Sequence, residues 1–197
     1  FMRNFDLGVS LEQIVSLKTP SFNWQQDSLQ RSRLAVLKNE INKPKIFSRE
    51  QSKVKAENYC AYQERSQYEV RNKLYEWGLH QKDVEEIISE LIDQNFLNEE
   101  RFSIAYTLGK FRIKGWGRMK IKQGLKLKQV PDKMIQKALK SIDEDDYLLS
   151  LRQILDKKSN LLKEKDPFKR RYFLSRYAAS KGYESELIAN QIADLDS

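Results

Sequence analysis

Few residues of this chain could do chemistry, and their spacing argues against catalysis. The single histidine, His80, follows Gly78 and Leu79, and no second histidine or cysteine stands at ligand spacing from it. Zinc fingers and histidine-based triads need a partner group fixed nearby, so both are excluded and His80 reads as an exposed turn residue. Gly109-Lys110 precedes Phe111 where a P-loop needs Ser or Thr, and the G-x-x-x-x lead is missing, so nothing here cradles nucleotide phosphates. Asp143, Glu144, Asp145 and Asp146 have two readings, a metal site and a helix start whose charge complements the helix dipole; the second is preferred. No enzyme, metal site or cofactor is expected.

What remains is charge. Between Lys110 and Lys140 stand eleven Lys or Arg residues against the single carboxylate of Asp132. Lys110, Arg112, Lys114, Arg118, Lys122 and Lys126 follow one another with no intervening acid, and such a face attracts phosphates or an acidic protein surface. The plainer reading of lysines on a helix is a solvated side. Trp116 lies among these cations between Gly115 and Gly117. It either stacks on a base or contacts a partner, or it packs over a hinge that the two glycines make.

These residues must be positioned by helices. Val70, Leu74, Trp77, Val84, Ile87, Ile88 and Leu91 recur at spacings of three and four, the period of a helix burying one stripe. Ser66-Gln67-Tyr68-Glu69 has the capping-box form and Gly78 can close the helix that starts there. The spacing predicts helices over 52–64, 67–77 and 81–94, with Tyr59 and Tyr62 on the inner stripe. A second set starts at Asn98, turning Phe102, Ala105, Leu108 and Phe111 inward, resumes near Trp116 with Ile121 and Leu125, and resumes again after Pro131 with Met134, Ile135, Ala138 and Leu139. A third set follows the acidic run with Tyr147, Leu151 and Leu155, reopens at Asp166-Pro167 with Leu174, Tyr177 and Ala178, and runs to the end.

The three sets share one grammar. Sliding the chain by about 51 residues sets Leu74 on Leu125 and Ile88 on Leu139, and sliding by about 104 sets Gly78 on Gly182 and Ile88 on Ile192, a period typical of stacked helical units. Each unit alone holds too little apolar surface for a closed core, so neighbours must stack. The expected fold is all-α: a 1–50 helical or partly ordered arm, then three-helix repeats at 51–101, 102–145 and 146–197 in an elongated, curved array. Short helices in the arm are read around Ser10 to Leu17 and Leu29 to Leu37.

Three motifs in order carry a resemblance: Ser66-x-x-Glu69-Val70 with Lys73-Leu74-x-x-x-Gly78-Leu79; Leu97-Asn98-Glu99-Glu100-Arg101-Phe102; and Lys114-Gly115-Trp116-Gly117 followed by Ile121 and Leu125. Residues 51–145, and more weakly 146–197, resemble the RecX family of bacterial regulators. The chain departs from it at Gln129-Val130, where the family often has Gly-Ile, and over its first fifty residues. The resemblance implies a regulator that binds the RecA filament on DNA and hinders recombinase, ATPase and coprotease activities. A DNA-binding helical module acting without RecA is the alternative, since short three-helix units with a basic helix resemble helix-turn-helix readers in outline.

Composition agrees with such a role. Apolar residues make up 40% and charged residues 32%, with a formal net charge of +8. The 51–101 segment carries seven basic and eleven acidic residues, the 102–145 segment eleven and four. No run approaches the roughly twenty apolar residues that span a bilayer, no secretory leader is read at the start, and the lone Cys60 cannot form an internal disulfide. A cytoplasmic monomer without a membrane segment is expected.

Overall fold

A computed structural model describes residues 47–195, all within one compact unit, Lys45–Ser197. The expected arm helices lie outside the described residues. Among the described residues every regular element is a helix: α1 Arg49–Tyr62, α2 Gln67–Glu76, α3 Gln81–Asp93, α4 Glu99–Lys114, α5 Arg118–Leu127, α6 Asp132–Leu139, α7 Glu144–Leu161, α8 Pro167–Lys181 and α9 Ser185–Leu195.

Local chemistry starts and stops them. Ser66 Oγ accepts from the Glu69 N–H at 3.2 Å while the Glu69 carboxylate accepts from the Ser66 N–H at 3.1 Å, so the box that opens α2 is closed in both directions. A second box, Ser48 with Gln51, starts α1 three residues earlier than the apolar period predicts. Asn98 caps α4, Asp143 caps α7 and Asp166 caps α8 ahead of its Pro167, each through its side-chain oxygen. Gly115 (φ 60°) and Gly182 (φ 93°) close α4 and α8 in the left-handed conformation. Gln129 does the same after α5 with φ 58°, although it carries a Cβ.

Helices pack in threes: α1 with α2 and α3, α4 with α5 and α6, α7 with α8 and α9. Among the described residues there are two apolar cores. The first lies under α1 to α3 and is built on Val70, Leu74, Val84, Ile87 and Leu91. The second runs continuously under α4 to α9, joining Ile121 and Leu125 to Tyr147, Leu151, Leu174 and Ile188. The last two triplets thus share one interior, whereas the first keeps its own.

Two inward assignments fail. Tyr62 is 86% exposed, because the stripe of α1 runs through Ser52, Ala56 and Cys60, and two residues beyond Cys60 lies on the far side. Ala105 is exposed for the same reason: α4 buries Ser103, Thr107 and Phe111 at successive four-residue steps, two of them polar residues that an apolar pattern passes over.

Candidate binding face

The predicted cations sit on the last turns of α4 and along α5, joined by the Gly115–Gly117 turn. On α4, Lys110 and Lys114 are four apart and share a face; on α5, Arg118, Lys122 and Lys126 form a stripe at the same spacing. Arg112, Lys114 and Lys122 are exposed, and no carboxylate of the described residues pairs with them. Lys126 lies 3.5 Å from Asp132, both largely exposed, a pair that contributes little.

Arg118 is engaged elsewhere. Its guanidinium bonds Glu144 at 2.5 and 3.3 Å and lies 4.1 Å from the Tyr147 ring centre. That hydrogen bond, against a small opposing effect of burial, holds the Glu144 carboxyl below the usual carboxylate range. Trp116 is half-buried against the second core, with Lys110 and Lys120 nitrogens 5.2 and 5.0 Å from its ring. Lys120 also donates to the Ser180 carbonyl at 3.0 Å. Packing and cation contact therefore occur together at Trp116.

The sequence pattern missed what lies between the cations. Ile113 and Leu127 are each 78% exposed and Met119 is half exposed, an apolar admixture typical of contact surfaces. The signal was present as apolar residues off the inner stripe. Beside them runs a groove of about 480 Å³ where α4 meets the first unit, walled by Glu64 and Glu69 on one side and Lys110, Ile113, Lys114 and Lys128 on the other. Lys128 bonds Glu69 across it at 2.6 Å. Burial alone would push the Glu69 carboxyl up; hydrogen bonds from Lys128 and Ser66 outweigh it and hold that carboxyl below its ordinary value.

The start of α5 is also unusual. Gly117 offers no side-chain cap, and the third unit supplies acceptors instead. The N–H groups of Gly117 and Met119 donate to the Lys181 and Gly182 carbonyls at 2.9 and 3.0 Å, and that of Arg118 to the Tyr147 hydroxyl at 2.9 Å. Tyr147, fully buried, donates its own hydroxyl hydrogen bond to the Glu184 carboxylate at 2.6 Å. Burial first, then that bond, raises the phenol well above its ordinary range, so it stays a donor. No group of three or more potential metal ligands exists among the described residues, and none of their helices is long and apolar enough to cross a membrane. Burial pushes the Cys60 thiol up to about 11, which leaves it unreactive at neutral pH.

Over the described residues the fold is all-helical and built of tandem three-helix units. The family model for the first three-helix domain of RecX matches residues 53–91, and that for the second matches residues 98–139. The regulatory protein RecX of Clostridium perfringens (strain SM101) is 34% identical over 121 residues, covering 60% of this chain and 56% of that protein. Its counterpart in Prosthecochloris aestuarii is 28% identical over 141 residues, covering 72% and 91%. The crystal structure of RecX from Lactobacillus salivarius superposes with a TM-score of 0.69 at 24% identity, over 75% of this chain and 96% of that one, a likeness of fold. Over residues 53–139 the chain is similar to the RecX family, with both three-helix domains matched in order. It spans little more than half the length of the clostridial relative.

Proposed function

We propose that this chain is a non-catalytic regulator that binds the RecA-DNA filament and lowers the activity of the recombinase. The observation that carries this is the consecutive match to both RecX three-helix domains over residues 53–139, in a family whose curated members are named regulatory proteins. The exposed cations Arg112, Lys114 and Lys122, set among Ile113, Met119 and Leu127, support it. They suit a surface that is partly phosphate and partly protein, and a nucleoprotein polymer offers both. In this reading the chain acts as a cytoplasmic monomer without a cofactor, and contact with the filament hinders its growth or stability. ATP hydrolysis, strand exchange and coprotease function then fall together.

The same cations would serve a DNA-binding module that acts without RecA. A titration of RecA ATPase on pre-formed filaments separates the two. A filament-directed regulator inhibits at amounts well below one per RecA protomer and still does so when excess DNA is added. Inhibition that disappears with excess DNA would refute the filament reading.

A further inference from the structure

The third unit carries a second unassigned surface. Helix α8 holds Lys169, Arg170, Arg171, Arg176 and Lys181 and no carboxylate. Its inner positions, Leu174 and Ala178, are buried in the second core. Its outer side shows three aromatic rings: Phe168 is 83% exposed, Tyr172 55% and Phe173 41%. Rings this open do not hold the fold together, and large apolar groups on a surface mark a contact site.

Their arrangement is specific. Phe168, Tyr172 and Arg176 are spaced four apart, so they form one stripe along the helix. The Arg176 guanidinium donates to the Tyr172 hydroxyl at 3.4 Å, and Phe173 meets the Tyr172 ring edge-on with centres 5.7 Å apart. Alongside runs an open groove of about 390 Å³ between α8 and α9, floored by Ala189, Ile192 and Ala193 and bordered by Phe168, Tyr172 and Ser175.

We propose that this face of α8 is a stacking site for single-stranded nucleic acid, with bases on Phe168 and Tyr172 and phosphates at Lys169 and Arg176. Two features favour this occupant over a protein. The exposed apolar groups of the helix are mainly π faces, unlike the aliphatic Ile113, Met119 and Leu127 of the basic face, and every base can stack on such a ring. The charge is all of one sign along the helix and complements a polyanion. Single strands are selected because four residues of helix rise about 6 Å. Stacked neighbours within a duplex strand are about 3.4 Å apart, so two bases held by these rings must first leave their stack.

The test uses the full chain without RecA, so its failure leaves the filament reading standing and the reverse also holds. Anisotropy of labelled oligo-dT and of a blunt duplex of equal length is measured across a salt series. Phe168→Ala with Tyr172→Ala is expected to weaken oligo-dT binding by roughly tenfold or more, to leave duplex affinity in place, and to preserve the salt slope because the cations remain. Phe168→Trp with Tyr172→Phe keeps two stacking rings and is expected to bind oligo-dT like the parent. Unchanged oligo-dT affinity in the double alanine variant overturns the proposal, as does an equal loss for duplex and single strand. A shift from dimer to monomer on sedimentation, with oligo-dT affinity intact, assigns the face to a second copy and also overturns it.

Discussion

Two carboxylates where the first and second units meet are shifted in opposite directions, and the difference is testable one residue at a time. Glu69 keeps its charge through Lys128 and Ser66, so its folded pKa lies below the unfolded one. Its stabilisation is complete above the ordinary carboxylate range near about 4.3 and is lost as pH falls through that lower folded value. Glu99 is 7% exposed and accepts the Gln67 N–H at 2.8 Å, but burial dominates and raises its pKa, with the nearby Glu69 charge adding to the rise. It therefore carries a penalty at neutral pH that protonation relieves. Glu69→Gln should cost about 1 kcal/mol at pH 7 in urea unfolding and converge with the parent only once the pH has fallen below the lowered folded pKa of Glu69. Glu99→Gln, whose amide oxygen can still accept from Gln67, should raise Tm at pH 7. A lower Tm in that variant would mean that the charge itself is needed. Gln129 makes a third case. With φ 58° it occupies the conformation that disfavours a Cβ, at the position where the family often has glycine. Gln129→Gly should stabilise the chain by about 1 kcal/mol, read from the same urea curves.

At the scale of elements, the junction between the second and third units depends on the approach of two backbones. A Cβ on Gly117 would lie 2.3 Å from the Gly182 carbonyl oxygen, and one on Gly182 would lie 2.3 Å from the Lys120 Cβ. Gly117 has φ −77°, a value any residue adopts, so Gly117→Ala tests the contact alone. It should cost about 2 kcal/mol and speed amide exchange at Arg118 and Met119, while the first unit keeps its protection. Uniform loss of protection would show instead that the two cores unfold together. This junction shows which parts of the fold were legible in the sequence. Helix starts at Ser66, Asn98, Asp143 and Asp166 were readable because a cap is a local event between residues three apart. The inner stripes of α2, α3 and α5 were readable because their buried residues are all apolar. On α4 the pattern found Phe102 and Phe111 but not the rest of the buried line, since Ser103 and Thr107 are polar. The Gly117–Gly182 contact joins residues 65 positions apart, and the hydrogen bonds of Tyr147 to Arg118 and Glu184 span 29 and 37 positions. No local pattern encodes such pairings, although the slide that set Gly182 on Gly78 marked it as a helix end.

For the molecule as a whole, the basic run was visible as composition, but its division of labour was not. Of the six cations in the predicted face, Arg118 ties the second unit to the third through Glu144 and Tyr147, whereas Arg112, Lys114 and Lys122 are exposed and bound to no described carboxylate. Charge reversal must respect that division. Reversing Arg118 would set like charges beside Glu144 and Glu184 and weaken the junction, so lost activity would say nothing about a partner. Arg112→Glu, Lys114→Glu and Lys122→Glu together change the net charge by six units at exposed positions, and should leave Tm within a few degrees of the parent. If the face contacts the filament, the triple variant should need roughly tenfold more protein for half-inhibition of RecA ATPase, since each exposed cation at an interface contributes a fraction of a kcal/mol. The parent's inhibition should weaken as salt is raised, and the variant's should weaken less, because fewer ions are released on binding. Equal inhibition by parent and folded triple variant at every salt concentration would move the contact to another surface of the repeat array.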